Sequence, residues 1–491
     1  MKTPSLPHQT AYINGSWSNV SGDSFFSINP STNEVFWQGH SASEEDVNRA
    51  VTSAYEAFPG WANLTLSERQ NHLQSFINIL TEHKKDLART ISNEVGKPLW
   101  EALFEVQNVI NKLPISVEAY NQRCQPISGG QALARFKPHG PVVVFGPFNS
   151  PLHIALGHII PALLAGNTVI FKPSELAPCV AQKTIELFDR SRLPAGILNL
   201  VQGAKEVGQS LIKHPLIKGI FFTGSLSTGI AINKTVAHEI QKIVTLELGG
   251  NNPLVIYNVK NLEAAAHITI QSAFLSSGQR CTCTRRLIIS NNEEGEKFLI
   301  ELIRQINLLK IGPVSDRPEP FMGPIISLQA AAKLLEVQEK LISQGGVSLL
   351  PLKKLSEKIP LLSPGLIDVT SIRKSEDQEL FGPILQCIRV SSLDEAIEEA
   401  NRTAYGLAAS IITDKKDAYD LFYKKVNAGV INWNYQTTGA SSAVPFGGIG
   451  LSGNHRPTAF FAADYSSYPV ASIEFPLVEL PKELPSGIAL H

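Results

Sequence analysis

Gly278-Gln279-Arg280-Cys281-Thr282-Cys283 sets a thiol beside a glycine and close to several cations. An apolar run, His267 to Leu275, precedes it and has the character of a helix. Cys281 then falls on a turn, where a glycine lets the backbone approach a ligand. Only the thiolate attacks carbon readily, and a free thiol has a pKa of about 8.5. Arg280, Arg285 and Arg286 bring positive charge into this neighbourhood. A lone cysteine is more commonly a buried structural one, so the case for catalysis rests on partners elsewhere in the chain.

Three such partners have suitable chemistry. Glu247 stands between an apolar run and Gly249-Gly250, where a carboxylate at the edge of an apolar wall can act as a base. A charge at the start of a helix is the competing reading. Asn149, between Phe148 and Pro151, could aim an amide at an oxyanion or could serve only a turn. Gly224-Ser225-Leu226-Ser227-Thr228-Gly229 follows an apolar run and opens a helical one, and helix N-termini suit pyrophosphates. Its spacing is not that of a dinucleotide fingerprint or a P-loop, so an ordinary turn remains open. Gly448 to Gly453 does match G-x-G-x-x-G, but no strand and helix frame it, and it reads as a decoy.

The elements that must hold these residues alternate. Pro141 to Phe145, Thr168 to Phe171, Leu198 to Val201, Gly219 to Phe222 and Ile243 to Leu246 are apolar runs typical of doubly covered strands. Helical stretches near 152–165, 178–190, 205–213 and 227–239 separate them. The alternation predicts a five-stranded parallel α/β sheet with its ligands at the carboxyl ends of the strands. A second alternation from Asn251 predicts a second α/β domain. Ala471 to Phe475 reads as a strand without a sequence neighbour, which invites pairing elsewhere or with another subunit.

Leu246-Glu247-Leu248-Gly249-Gly250, Gly278 to Thr282, Glu379-Leu380-Phe381-Gly382-Pro383 and Pro445-Phe446-Gly447-Gly448 together resemble the signature set of the NAD(P)-dependent aldehyde dehydrogenase superfamily. Phe145 to Asn149 and Phe171-Lys172-Pro173-Ser174-Glu175 fit the same pattern, and the match runs in order over nearly the whole chain. The resemblance implies Cys281 as nucleophile, Asn149 and the Cys281 backbone N–H as oxyanion donors, and Glu247 as the base that activates water. It implies NAD as cofactor. Lys172, Ser174 and Glu175 would meet the adenosine ribose, with Glu175 repelling a 2′-phosphate. Gly224 to Gly229, including Leu226, would meet the pyrophosphate, and Glu379 and Phe381 the nicotinamide side.

It also implies three parts: residues 1–122 and 140–250 for the cofactor, 251–463 for catalysis, and 123–139 with 464–491 for assembly into a homodimer or homotetramer. Leu248 to Leu254, Gln279 to Cys283 and Gly453-Asn454-His455-Arg456-Pro457 resemble members acting on acidic semialdehydes. A remote carboxylate suits an arginine fork, with Arg456 the first candidate and Arg123 the second. A different acidic semialdehyde, such as glutamate semialdehyde, is the rival substrate. Outside this family, a hydrolase pairing Cys281 with His153 or His158, or a silent binding protein, stays open.

Composition narrows the partners. The 491 residues carry a formal net charge of −1, with 18% charged and 43% hydrophobic residues, an ordinary globular mix. Nucleic acid and anionic membranes are not the expected partners. Five scattered cysteines make neither a disulfide framework nor a zinc site. Met1 to Ser16 lacks the apolar core of a signal peptide, and Leu152 to Ile170 is too interrupted to span a bilayer. The expected setting is the reducing cytoplasm.

Overall fold

The computed structural model describes residues 9–372, 376–481 and 483–488. The reading of Met1 to Ser16 therefore falls partly outside the described residues, as do 482 and 489–491 of the expected assembly element.

The five expected strands are present, each buried along most of its length, and all five run parallel. Their spatial order is Ile243–Glu247, Gly219–Thr223, Pro141–Phe145, Thr168–Lys172, Leu198–Leu200. The chain leaves Pro141–Phe145 toward one edge and returns to Gly219–Thr223 on its other side. The switch point lies between these two strands, where a doubly wound sheet opens its crevice. The sheet has seven strands rather than five, because Gln9–Ile13 and Ser16–Asn19 extend it antiparallel beyond Leu198–Leu200. These N-terminal segments are short and alternate weakly, so their sequence does not reveal the sheet they join.

Apolar layers cover both faces of this sheet. The helices between residues 66 and 123 pack with His153–Ala165 and Pro178–Arg190 on one face. Glu44–Ala62, Lys205–Lys213 and Leu226–Val236 cover the other. Ser43 and Thr65 each close a capping box, with Asp46 and Glu68 respectively, and so fix two helix starts.

A second seven-stranded sheet runs Val347–Leu350, Gly365–Asp368, Ile384–Val390, Thr284–Ser290, Asn252–Ile256, Ala408–Ile412, Val430–Trp433. It is parallel except for the first, an antiparallel edge strand. The strand expected in the tail, Ser467–Ile473, pairs with Ala132–Pro138 of its own chain over seven residue pairs, and Ile127–Gly129 completes a three-stranded sheet. The outer strand Ile127–Gly129 is exposed along its length.

Candidate active site

A cavity of about 810 Å³ opens at the carboxyl ends of the first sheet. Cys281, Glu247 and Asn149 share its wall, together with Ile154. The first three lie far apart in sequence, and the end of the first parallel strand, the end of the fifth and the turn before Thr284–Ser290 bring them together.

The turn that carries Cys281 is strained. Ser276, Ser277 and Gly278 follow the helix Leu262–Phe274 with φ of 51°, 55° and 74°. Two non-glycine residues in succession in the left-handed region cost of order 1–3 kcal/mol each and persist only when their surroundings hold them. Buried Glu101 does much of the holding. It accepts from Ser276 N at 3.2 Å and from the Ser276 hydroxyl, and pairs with the Arg280 guanidinium. The Ser277 hydroxyl donates to Gly323 O at 2.7 Å. A side chain at Gly278 would run into the Gly382 carbonyl, so the close approach demands glycine. Asn252 then clamps the other side of the turn, its amide donating to Cys281 O at 2.7 Å and Cys283 O at 2.9 Å.

The arginines expected to surround the thiol mostly face elsewhere. Arg280 is taken by Glu101, and Arg286 binds the carbonyls of Asn251, Glu399 and Ala400. Only Arg285 favours the thiolate. Burial, then the carboxylates of Glu379 and Glu247 and the neighbouring Cys283, push the Cys281 thiol up to about 12. Cys283 is fully buried and directs its sulfur to Leu275 O, so it faces away from the cavity.

Glu247 ends its strand inside the protein, 4% exposed, with Oε2 lacking any hydrogen-bond partner. Burial raises its pKa well above the usual carboxylate value, opposed only by the Thr458 backbone N–H. The glycine-rich segment Gly448 to Gly453 does not line the cavity. It folds over this carboxylate, with Gly453 bridging to Glu247 and Ser452 O accepting from Leu248 N at 3.0 Å. Asn149 is 8% exposed, and its amide has no partner among the described residues, leaving it free to meet a ligand oxygen.

Residues implied for the cofactor line the same cavity: Lys172, Ser174 and Glu175, and also Glu379 and Phe381. Gly224, Ser225, Ser227 and Thr228, at the start of Leu226–Val236, line it as well. Ser225 caps that helix, which has no acidic residue in its first turn, so its N–H groups present an anion site. Leu226 and Gly229 do not line the cavity. Leu226 packs into the apolar layer, and Gly229 lets the helix close onto Leu248. The Glu379 carboxylate occupies the space a side chain at Gly249 would need and accepts from Gly250 N at 3.4 Å. Lys172 is 7% exposed and donates to Pro173 O at 3.0 Å, while Glu175 at the strand end is exposed. A cavity of this volume, walled largely by apolar side chains and lined by a helix N-terminus and carboxylates, has room for a dinucleotide.

The two arginines proposed for substrate are not in this cavity. Both forks of Arg123 go to Asp464, and its guanidinium stacks 3.5 Å above the Phe461 ring. Its expected role is thus replaced by a structural one. Arg456 is exposed and lies near enough to His139, just before Pro141–Phe145, for its charge to act on that imidazole. Nor do the histidines pair with the thiol. His158 bonds Thr223 and Tyr465, at 3.0 and 2.7 Å, and His153 Nδ1 is buried without a partner. The described residues hold no cluster of three or more metal-ligating side chains and no helix long and apolar enough to cross a membrane.

The Aldehyde dehydrogenase family profile matches residues 17–467, and the chain belongs to that family. It is an enzyme of aldehyde oxidation. Among curated relatives, it is 48% identical over 483 residues to the N-succinylglutamate 5-semialdehyde dehydrogenase of Pseudomonas fluorescens (strain Pf0-1), covering 98% of this chain and 99% of that one. Two solved structures are similar. A mutant form of the 1-pyrroline-5-carboxylate dehydrogenase from Thermus thermophilus is 29% identical, with TM-score 0.88 over 95% of this chain and 93% of that one. A betaine aldehyde dehydrogenase from Staphylococcus aureus in complex with NAD+ is 26% identical, with TM-score 0.89 over 96% of each.

Proposed function

We propose that this enzyme oxidises N-succinyl-L-glutamate 5-semialdehyde to N-succinyl-L-glutamate with NAD, within arginine catabolism by the succinyltransferase route. The observation that carries the reading is a single cavity lined both by Cys281, Glu247 and Asn149 and by the residues expected to hold a dinucleotide. The likeness in sequence to the Pseudomonas fluorescens enzyme supplies the substrate.

Cys281 gives up its thiol proton to solvent, its thiolate attacks the aldehyde carbon, and the carbonyl electrons move to oxygen. The Asn149 amide and the Cys281 N–H hold the resulting oxyanion, a contact worth most when the charge forms. NAD, when bound, would supply the hydride acceptor needed to take this carbon to the oxidation level of a thioester. Glu247 then takes a proton from water as the water attacks the thioester, and the Cys281 thiolate leaves. A carboxylate with a raised pKa is a stronger base than an ordinary one, and the partnerless Oε2 is free to face that water.

Lys172, Ser174 and Glu175 would hold the adenosine ribose, and Glu175 favours NAD over NADP. Ser225, Ser227 and Thr228 would hold the pyrophosphate, and Glu379 the second ribose. Division into 1–122 with 140–250, 251–463, and 123–139 with 464–491 accords with the two large sheets and the small one. The exposed strand Ile127–Gly129 offers an edge for assembly of a homodimer or homotetramer. A panel of succinylglutamate, glutamate, succinate and neutral aldehydes, followed by NADH formation, tests the substrate. The highest kcat/KM is expected for the succinylated semialdehyde, and a higher value for any other would displace it.

A further inference from the structure

Lys97, Lys112 and Arg280 all act electrostatically on His153, at the start of the helix His153–Ala165. Two of these cations have carboxylates of their own. Lys97 pairs with Glu105 at 2.6 Å, and Arg280 pairs with Glu101. Lys112 has none among the described residues. It is 3% exposed, and its ammonium makes one hydrogen bond, to Ser442 Oγ at 2.7 Å. An ammonium carries three donors, and burying a charge with donors unmet is costly. Lys112 is also the first residue of its helix, Lys112–Arg123, the end that disfavours a cation.

The position of this ammonium relates it to the thiol. The sole heavy atom near a Cβ built on Gly157 is Lys112 Nζ, at 4.0 Å. Gly157 lies three residues beyond Ile154 on the same helix, hence on the same face and about 5 Å further along. Ile154 shares the cavity wall with Cys281 and Asn149. The glycine leaves the space before the ammonium clear, and Ser442, its hydrogen-bond partner, is half-buried.

We propose that the Lys112 ammonium, steadied by Ser442 and approached across Gly157, binds a carboxylate of the aldehyde substrate remote from its carbonyl carbon. Lys112 thereby selects anionic semialdehydes, in place of the arginines. The proposal rests on the reading of Cys281 as the aldehyde site, and it deepens that reading by naming the group that recognises the substrate. Burial already draws the free ammonium down to about 8, and an anion beside it would restore the charge.

The test compares wild type, Lys112→Met, Lys112→Arg and Ser442→Ala on three aldehydes: N-succinylglutamate 5-semialdehyde, succinate semialdehyde and neutral pentanal. Lys112→Met should raise KM for the anionic aldehyde that wild type prefers by ten- to a hundredfold, the range for a charged hydrogen bond. Its kcat/KM for pentanal should stay within about twofold, since no interaction with the neutral chain is lost. Lys112→Arg should recover part of the selectivity, and Ser442→Ala should move the same KM severalfold. Equal losses on anionic and neutral substrates, no loss at all, or a wild type without preference for an anionic aldehyde would each overturn the proposal. A wild type that prefers succinate semialdehyde, with the Lys112→Met selectivity loss intact, would sink the substrate assignment and leave the role of Lys112 standing.

Discussion

Asn252 holds Cys281 through two hydrogen bonds from one amide nitrogen, to the carbonyls of Cys281 and Cys283, while its oxygen accepts from Ala408 N at 3.0 Å. The nucleophile is thereby fastened to two neighbouring strands of the second sheet, Asn252–Ile256 and Ala408–Ile412. Asn252→Leu removes both bonds and leaves two buried carbonyls unmet. It should lower kcat by about a hundredfold, the usual cost of misplacing a reacting group by an ångström. NADH binding, followed by fluorescence, should be retained. Loss of nucleotide binding to the same extent would mean that Asn252 supports the fold at large.

Cys281→Ala should abolish aldehyde oxidation, and Cys283→Ala should keep most of it, because only the Cys281 side chain lines the cavity. Alkylation of Cys281 in the nucleotide-free enzyme should keep rising with pH beyond about 9, without levelling near the free thiol value of about 8.5. The sign follows from the surroundings: burial, Glu379 and Glu247 disfavour the thiolate more than Arg285 favours it. A plateau near neutral pH would show that the thiol is already activated.

Glu247→Gln should let the thioester form and then stall, since an amide does not take the proton from water. Rapid mixing with NAD and aldehyde should give one equivalent of NADH in a burst, followed by turnover reduced by on the order of a hundred- to ten-thousandfold. A missing burst would place Glu247 before hydride transfer.

Glu175→Gln should narrow the preference for NAD. Repulsion between two unit charges about 4 Å apart in water is about 1 kcal/mol, so the kcat/KM ratio of NAD to NADP should fall about fivefold. A wild type that favours NADP would remove Glu175 from the adenosine ribose.

The chemistry and the first sheet were legible in the chain itself. Apolar runs separated by helical ones mark parallel strands because both faces must be covered, and this pattern is local. The order of Leu246-Glu247, Gly278 to Cys281 and Glu379 to Pro383 likewise points to the family without coordinates. Other facts depend on contacts between distant segments. Sequence neighbours suggested that Arg280 and Arg286 would serve the thiol, but Glu101 and a helix end claim them. Arg456 and Arg123 had the right chemistry in the wrong place, one beside His139 and the other bound to Asp464. Lys112 gave no local signal, because what distinguishes it is the absence of a carboxylate around a buried ammonium. A sequence states which charges exist. Only the packed chain decides which of them are already neutralised and which are left to meet a substrate.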